Sequence, residues 1–373
     1  MTSRQVEIQI GVALGALGFL LAGLGACVAV LARDLDLPAD RLALLSSAFA
    51  VGLLIIALVG PLLLRSLAIS VVLRIGSVVC AMGAVLLALA PGYGVAIAGG
   101  LFIGLGGAML VLIAPLLLSG PTAAARLTKV NAFASATGIL APLAIGAMDA
   151  FASTGRLAML AAAPPLLALA VLARPAAALV QPASGGLVVL QVARGWVRVV
   201  LAVAVEFCFV VWAVARLVDA GLPMATAALL GSAFPIGMAV GRGIGPLHLG
   251  SWSPMVPGGL LAIAGTLLVS LFDAPVAVTA GLVIAGIGVA PLYPVTIAAL
   301  VATPGLSPAR LAALGASASG VAILLAPAIL AVLAGVVDLQ IAFLITLPLL
   351  VALFLVSRPL SRDRAELPTQ VSA

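Results

Sequence analysis

Residues 44–61 read LLSSAFAVGLLIIALVGP, and residues 229–246 read LLGSAFPIGMAVGRGIGP. At a constant offset of 185, both segments carry the same amino acid at eight positions, which include Ser47, Phe49, Gly52, Gly60 and Pro61 in the first and Ser232, Phe234, Gly237, Gly245 and Pro246 in the second. A second pair agrees, because GLGGAMLVLIAPLLL from Gly104 resembles GIGVAPLYPVTIAAL from Gly286. This internal repeat predicts two related halves, a pseudo-two-fold axis and a site between the halves.

Composition indicates that the chain lies in a lipid bilayer. Hydrophobic residues make up 65% of the 373 residues and charged residues only 8%, and the mean hydropathy is +1.39. A spanning helix needs about 20 residues, so the chain has room for about twelve. The pI of about 10.2 could indicate nucleic acid, but there is no basic run, and Lys129 is the only lysine. We therefore expect no nucleic-acid partner.

Twelve apolar segments can be read along the chain, and they predict an all-α membrane protein of twelve transmembrane helices in two six-helix bundles. The segments are 8–32, 42–64, 68–90, 94–118, 129–150, 155–173, 196–218, 224–246, 255–273, 275–301, 311–335 and 339–357. Residues 1–173 then form the N-terminal bundle and 195–357 the C-terminal bundle. Residues 174–194, rich in Pro, Gln, Ser and Gly, are the predicted cytoplasmic linker, and 358–373 are the predicted cytoplasmic tail.

The distribution of basic residues predicts the topology. With the N-terminus in the cytoplasm and alternating spans, 13 of the 17 basic residues lie in cytoplasmic segments. The outer loops hold Arg33, Arg41, Arg156 and Arg216. This is the positive-inside pattern, and it favours an even number of spans with both termini in the cytoplasm. The abundance of Ala, Leu, Val and Arg suggests a bacterial source, so we expect a multi-pass protein of the bacterial cytoplasmic membrane, working as a monomer.

The reactive residues argue against an enzyme and against a metal site. Cys27, Cys80 and Cys208 all lie within predicted spans, and the single histidine, His248, lies in a predicted cytoplasmic loop. Neither a metal-ligand spacing nor a nucleophile with a matching base is visible. We expect no catalytic residue, no metal and no cofactor.

The twelve spans, the six-plus-six duplication and the central linker resemble the major facilitator superfamily over essentially the whole chain. That family carries a G-x-x-x-D-R loop after its second helix. Here Gly60 and Arg65 keep the glycine and the arginine, but Leu64 replaces the aspartate. The resemblance implies a cytoplasmic gate, with Gly241 and Arg242 as candidate equivalents in the second half. Alternatively, both arginines only anchor the topology.

The fifth predicted helix resembles a weakened G-P-x-x-G-G element of proton-coupled antiporters in this superfamily. Pro142 and Gly146 are present, but Ala141 replaces the first glycine. Pro327 stands at the related place of the eleventh helix. Because proline removes a backbone donor, both helices are candidates for a kink. A generic kinked helix with a small-residue face is the alternative interpretation.

Glu206 is the only acidic residue deep within a predicted helix. A carboxylate there costs at least ~2.5 kcal/mol on insertion scales, so it must face the bundle interior or water. With Trp212 and Tyr293, it resembles the fucose-permease branch of the superfamily. We interpret Glu206 as the proton-coupling carboxylate. A structural hydrogen bond to a neighbouring helix remains the alternative.

The predicted substrate cavity is apolar. Its candidate residues are Phe19, Phe49, Asn131, Phe207, Trp212, Phe234 and Tyr293. Taken alone, each aromatic residue is more often a packing residue than a site residue. A sugar site needs many paired donors and acceptors, but Asn131 is the only asparagine. Pro291 and Pro294, which flank Tyr293, either free backbone carbonyls towards the cavity or simply curve the helix.

Together these features predict a secondary transporter that moves a small hydrophobic or amphipathic solute by alternating access. Proton-coupled export is the leading hypothesis, with protons as the coupling ion and Glu206 as the exchangeable group. Proton-coupled uptake of a sugar-like or other small metabolite is the first alternative. A non-transporting membrane scaffold or sensor is the second.

Overall fold

A computed structural model describes residues 3–36, 39–118, 123–151, 154–173, 189–244 and 254–358. Within these ranges the chain forms helices and no strands. We number twelve helices in chain order: α1 Ser3–Asp34, α2 Ala39–Ser66, α3 Ile69–Ala88, α4 Tyr93–Leu117, α5 Ala123–Phe151, α6 Gly155–Leu172, α7 Val189–Asp219, α8 Met224–Leu230 with Ala233–Ile244, α9 Met255–Leu271, α10 Pro275–Val289 with Leu292–Val301, α11 Pro308–Ala334, and α12 Leu339–Ser357.

The helices confirm the predicted all-α membrane class. Eleven of them are long and apolar enough to cross a membrane, and Met255–Leu271 is a shorter apolar helix of 17 residues. Each predicted segment corresponds to one helix, although α5 and α7 begin six or seven residues earlier than predicted. Four predicted features lie outside the described ranges: linker residues 174–188, His248, the repeat residues Gly245 and Pro246, and the tail from residue 359.

The two halves repeat the same glycine-mediated packing. In the first half, a Cβ added to Gly83 would stand 2.8 Å from the Gly99 carbonyl oxygen of α4. In the second half, one added to Gly265 would stand 2.6 Å from the Gly281 carbonyl oxygen of α10. Gly76 with Gly106, and Gly258 with Gly288, make the same kind of close approach two helical turns further along the same helix pairs. Small residues let helix backbones approach closely in lipid, so α3–α4 and α9–α10 are the tightly packed pairs.

A second pair of equivalent contacts comes from the repeat itself. Gly104 of α4 lies against the carbonyl oxygen of Phe49 in α2, and Gly286 of α10 lies against the carbonyl oxygen of Phe234 in α8. All four residues belong to the repeated segments. The sequence repeat is therefore also a repeat of backbone contacts.

Proline breaks the symmetry, because helices are interrupted only in the second half among the described spans. Pro235 cannot donate to the Gly231 carbonyl, and α8 is interrupted between Leu230 and Ala233. At the offset of 185 its counterpart is Ala50, where α2 is continuous. Likewise α10 is interrupted at 290–291. In contrast, α5 and α11 are continuous through Pro142 and Pro327.

Arginines define the two faces of the bundle, because several of them cap helix C-termini. We call the face with Ala173 and Val356 the near face; the Ala173 carbonyl accepts from Arg74 at 2.6 Å, and the Val356 carbonyl accepts from both Arg194 and Arg198. Unsatisfied carbonyls at helix C-termini attract cations. The charge asymmetry predicts that this near face is cytoplasmic.

We call the face with Ala90 and Phe272 the far face. Arg156 donates to the Ala90 carbonyl at 2.8 Å, and the fully buried Arg216 donates to the Phe272 carbonyl at 2.8 Å. These two arginines, predicted to lie in outer loops, cap the C-terminal ends of α3 and α9. They therefore hold helices together as well as setting the charge of the far face.

Candidate functional site

A cavity of about 420 Å³ lies between the two halves and is lined by residues from both. This volume falls within the ~300–1,000 Å³ range of small-molecule sites. Of the predicted cavity residues, the structure brings five to the lining: Phe49, Asn131, Phe207, Phe234 and Tyr293. Pro142 and Pro294 also line the cavity.

Two predicted cavity residues lie elsewhere. Phe19 belongs to the buried core of the first half. Trp212 donates its indole N–H to the Pro327 carbonyl oxygen at 3.2 Å and so joins α7 to α11. Both residues contribute to packing, which is the role that sequence alone could not separate from a cavity role.

The cavity extends towards the near face. Its lining includes Pro115, Leu127, Ala298 and Ala312, each within four residues of a helix end on that face. The halves are in contact on both sides of the cavity, through Arg242 and Ser135 towards the near face and through the following residues towards the far face. An added Cβ at Gly25 would stand 3.5 Å from the Val210 carbonyl oxygen, and one at Gly146 would stand 3.3 Å from the Leu229 side chain.

Glu206 and Arg242 form an ion pair inside the cavity. The Arg242 Nη2 and the Glu206 Oε1 are 3.6 Å apart, and their side chains are only 11% and 16% exposed. Glu206 comes from the middle of α7 and Arg242 from the last turn of α8. The carboxylate that the sequence analysis singled out therefore has a cationic partner in the described structure.

The structure also places Arg242 differently from the predicted gate. Arg65 is exposed at the near end of α2, whereas the Arg242 side chain lines the cavity. At the offset of 185, the counterpart of Arg242 is Ala57, a buried residue of α2. The two arginines thus occupy unrelated positions in their halves. Gly60 packs against Leu112, and Gly241 packs against α10.

The prolines of α10 explain how Arg242 is held. Pro294 has no N–H to donate to the carbonyl of Ala290, and that oxygen lies 3.5 Å from the Arg242 Nε as its acceptor. Pro291 likewise leaves the Ile287 carbonyl without its helical donor. A Cβ added to Gly241 would stand 2.6 Å from that oxygen, so glycine allows α8 to pack directly on the break.

Neutral polar groups complete the site. Arg242 Nη1 donates to the Ser135 hydroxyl, and that hydroxyl donates to the Asn131 carbonyl oxygen at 3.0 Å. The Asn131 amide donates to the Leu127 carbonyl oxygen at 2.9 Å. On the opposite side, Tyr293 and Ser319 also line the cavity, and the Ser319 hydroxyl donates to the Gly315 carbonyl oxygen at 3.1 Å. Ser135 and Ser319 were missed by the sequence analysis because lone serines in apolar helices carry no distinguishing pattern.

The remaining lining is predominantly aliphatic and aromatic. Phe209, which the sequence analysis did not select, is fully buried and stacks on Phe234 with ring centroids 5.2 Å apart. It follows Glu206 by three residues on α7, and that helical spacing is the signal that could have identified it. The site therefore combines one ion pair with an apolar surround.

Comparisons with known proteins give matches to solved structures only. No family model matches the chain, and no curated protein does. A structure of FucP described as a major facilitator superfamily transporter in the outward conformation is 17% identical, with 94% of this chain and 98% of that chain covered and a TM-score of 0.67. The nucleoside transporter NupG is 14% identical, with 95% and 100% covered and a TM-score of 0.68. The human organic anion transporter TETRAN is 18% identical, with 95% and 99% covered and a TM-score of 0.69.

Proposed function

From the fold of the major facilitator superfamily, which this chain adopts, we propose that it is a proton-coupled secondary transporter of small amphipathic solutes. The observation that carries the proposal is the Glu206 carboxylate, which lines a cavity shared by both halves. A carboxylate inside a membrane protein is a functional group by default, because leaving it there unused is costly. We infer no enzymatic step.

The form of the cavity supports alternating access. The halves meet at Gly146 with Leu229 towards the far face and at Arg242 with Ser135 towards the near face, and the cavity lies between these two contacts. Rocking one half against the other would open the cavity to one face while closing it to the other. The solute and the proton would then reach one site from each side in turn.

The lining supports an amphipathic solute. Phe49, Phe207 and Phe234 offer apolar surface, whereas polar contacts are confined to a few groups around Arg242 and Tyr293. Apolar pockets with few polar groups bind solutes mainly through buried apolar area. A monosaccharide would leave several hydroxyl groups unpaired here, at a cost of ~1–3 kcal/mol for each.

The direction of coupling has two candidate answers. The sequence analysis predicted proton-driven export, in which proton and solute move in opposite directions. The Glu206–Arg242 ion pair favours the second candidate, movement of proton and solute in the same direction. Protonation of Glu206 leaves Arg242 without its counter-ion, which favours a solute that supplies a negative charge.

The test uses the full-length protein in proteoliposomes. A thermal-shift screen with chloramphenicol, 4-hydroxyphenylacetate and glucose selects a probe, and that probe is followed in counterflow and under an imposed pH gradient. At one proton per solute, a gradient of about one pH unit supports roughly tenfold accumulation, since one pH unit corresponds to about 1.36 kcal/mol. Wild-type protein should accumulate the probe roughly tenfold under this gradient.

Glu206→Gln should retain counterflow but lose gradient-driven accumulation, because the amide cannot exchange a proton. Glu7→Gln is the matched control. Its carboxylate pairs with Arg126 at 3.5 Å near the start of α1, away from the cavity lining, and we expect wild-type accumulation. Undiminished accumulation by Glu206→Gln would contradict the coupling role. Failure of counterflow with every probe would contradict transport itself.

A further inference from the structure

Glu206 and Arg242 are the charged residues in the described lining of the cavity. Arg242 has two neutral contacts, the Ser135 hydroxyl and the Ala290 carbonyl, which fix its position without neutralising its charge. Glu206 supplies the neutralising charge from 3.6 Å. Charge-assisted contacts between arginine and carboxylate close to about 2.7–2.9 Å when they are tight, so this pair is close but not locked.

The planar guanidinium group is the side chain best suited to bind a carboxylate, because its donors match the two carboxylate oxygens. A cation buried in low dielectric also needs a counter-ion, and removing one partner of a buried pair is strongly unfavourable. When Glu206 accepts a proton, a carboxylate on the solute can take its place beside Arg242. The two carboxylates thus compete for one cation.

We propose that the transported solute is an organic anion, a monocarboxylate with an aromatic or otherwise apolar body, which binds Arg242 in place of Glu206 while Glu206 carries a proton. This inference rests on the proposed transport function and specifies its substrate class. The solute carboxylate binds Arg242, and its apolar body packs among Phe49, Phe207 and Phe234. One proton from the solution on the open side adds to the Glu206 carboxylate, and it leaves with the anion on the other side.

Charge balance explains why the two species would move together. The empty site holds one negative and one positive charge. The loaded site holds neutral Glu206, positive Arg242 and one negative solute, so its net charge is also zero. A site with only the anion or only the proton carries a net charge, which low dielectric disfavours. The halves can then rock easily only when the anion and the proton are both bound or both absent.

Few other groups can titrate near this pair. Among the described lining residues, α8 contributes Arg242 and α10 contributes Tyr293. From α5 come the neutral side chains of Asn131 and Ser135, and from α11 comes Ser319. The described lining residues of α1, α2 and α4 are apolar side chains and glycines. Within the described lining, coupling to pH at neutral conditions therefore falls on Glu206.

The test measures binding to the full-length purified protein with three aryl monocarboxylates, namely benzoate, 4-hydroxyphenylacetate and indole-3-acetate, each beside its neutral primary amide. Titration calorimetry in buffers of different ionisation enthalpy counts protons taken up. We expect at least one acid to bind at least tenfold more tightly than its amide, with about one proton taken up per anion. With Glu206→Gln, the anion should still bind, but its affinity should no longer vary with pH.

Variants of the cation separate binding from folding. Arg242→Gln should lose at least tenfold in anion affinity. Because Arg242→Gln leaves Glu206 without a partner and could unfold, the double variant Arg242→Gln with Glu206→Gln provides a site without charge, which should bind the amide but not the acid. Arg310→Gln, at an exposed arginine of α11, should bind the acid as the wild type does. Equal binding of acid and amide by the wild type would overturn the proposal.

Two further outcomes are decisive. Acid binding by the double variant at wild-type strength, or no binding of any of the three acids, would also overturn the anion proposal. If counterflow of chloramphenicol or glucose still occurs in that case, the transport function stands and only the substrate class is wrong. If no probe is transported, the transport function itself fails.

Discussion

At the scale of single residues, Pro294 shows how a local feature prepares the site. Its ring nitrogen cannot donate to the Ala290 carbonyl, so this oxygen is free to accept from Arg242 at 3.5 Å. The equivalent position in the first half, at an offset of 182, is Leu112, and there α4 continues without interruption. One substitution in one copy of the repeat thus gives the second half an acceptor for an arginine.

Asp34 at the far face shows a second residue-scale effect. Its side chain, 14% exposed, accepts from Arg33 at 2.8 Å and from Thr154, and lies 3.0 Å from Arg156. Burial by itself would raise the pKa of this carboxyl group. The hydrogen bonds from Thr154 and Arg33 and the charges of Arg33 and Arg156 outweigh burial and hold the pKa below its ordinary value of 3.8.

We therefore predict that Asp34→Asn lowers the free energy of unfolding by roughly 1.5–3 kcal/mol at neutral pH, the range for hydrogen bonds to charged groups. Because the folded pKa lies below the unfolded value, this stabilisation is present above about pH 4 and is lost as pH falls through the folded pKa. Thermal unfolding at pH 7, 5 and 3.5 measures the difference. Asp338→Asn, at an exposed far-face aspartate, is the control, and a gap that stays constant with pH would refute the argument.

At the scale of elements, glycine spacing decides which helices pack together. Gly76 and Gly83 of α3 are seven residues apart, as are Gly99 and Gly106 of α4, and each set lies at the contact between the two helices. The same spacing returns in α9 and α10 at an offset of 182. Seven residues are two helical turns, so the glycines of each helix fall on one face.

We predict that Gly83→Ala and Gly265→Ala each destabilise the protein by about 1–3 kcal/mol, the usual effect of overpacking. The added methyl group would stand 2.8 Å from the Gly99 carbonyl oxygen in the first case and 2.6 Å from the Gly281 carbonyl oxygen in the second. Gly11→Ala is the matched control, since nothing lies within 4 Å of a Cβ at that helical glycine. Thermal unfolding in detergent should show lower midpoints for the first two only. Equal midpoints for all three would exclude close packing as the role of these glycines.

At the scale of the whole molecule, the proposed transport requires the halves to separate at the far face. Gly146 of α5 and Leu229 of α8 meet there, with an added Cβ 3.3 Å from the leucine side chain. Residues close to the near face, among them Pro115 of α4 and Leu127 of α5, belong to the cavity lining. A covalent link between α5 and α8 at this point should hold the described arrangement.

We predict that oxidising the double variant Gly146→Cys with Leu229→Cys reduces counterflow at least tenfold and that a reductant restores it. A Cβ added to Gly146 would stand 3.9 Å from the Leu229 Cγ, and the disulfide forms when the two Cβ atoms come to about 3.5–4.5 Å. The native cysteines Cys27, Cys80 and Cys208 are buried, so the new pair is the one that should react. Each single variant serves as a control, and mass spectrometry confirms the bond. Full counterflow in the linked protein would show that the far face need not open.

Sequence by itself determined the helices, their number and the duplication, because apolar length, proline and glycine act locally and repeat at a fixed offset. It also identified Glu206, since a carboxylate within an apolar helix is visible without coordinates. Only the tertiary structure decided that Arg242 is its partner, that Ser135 and Ala290 hold that arginine, and that Phe19 and Trp212 are packing residues. Which side chains meet depends on how each helix is rotated and packed against its neighbours, and no local pattern along the chain specifies that rotation.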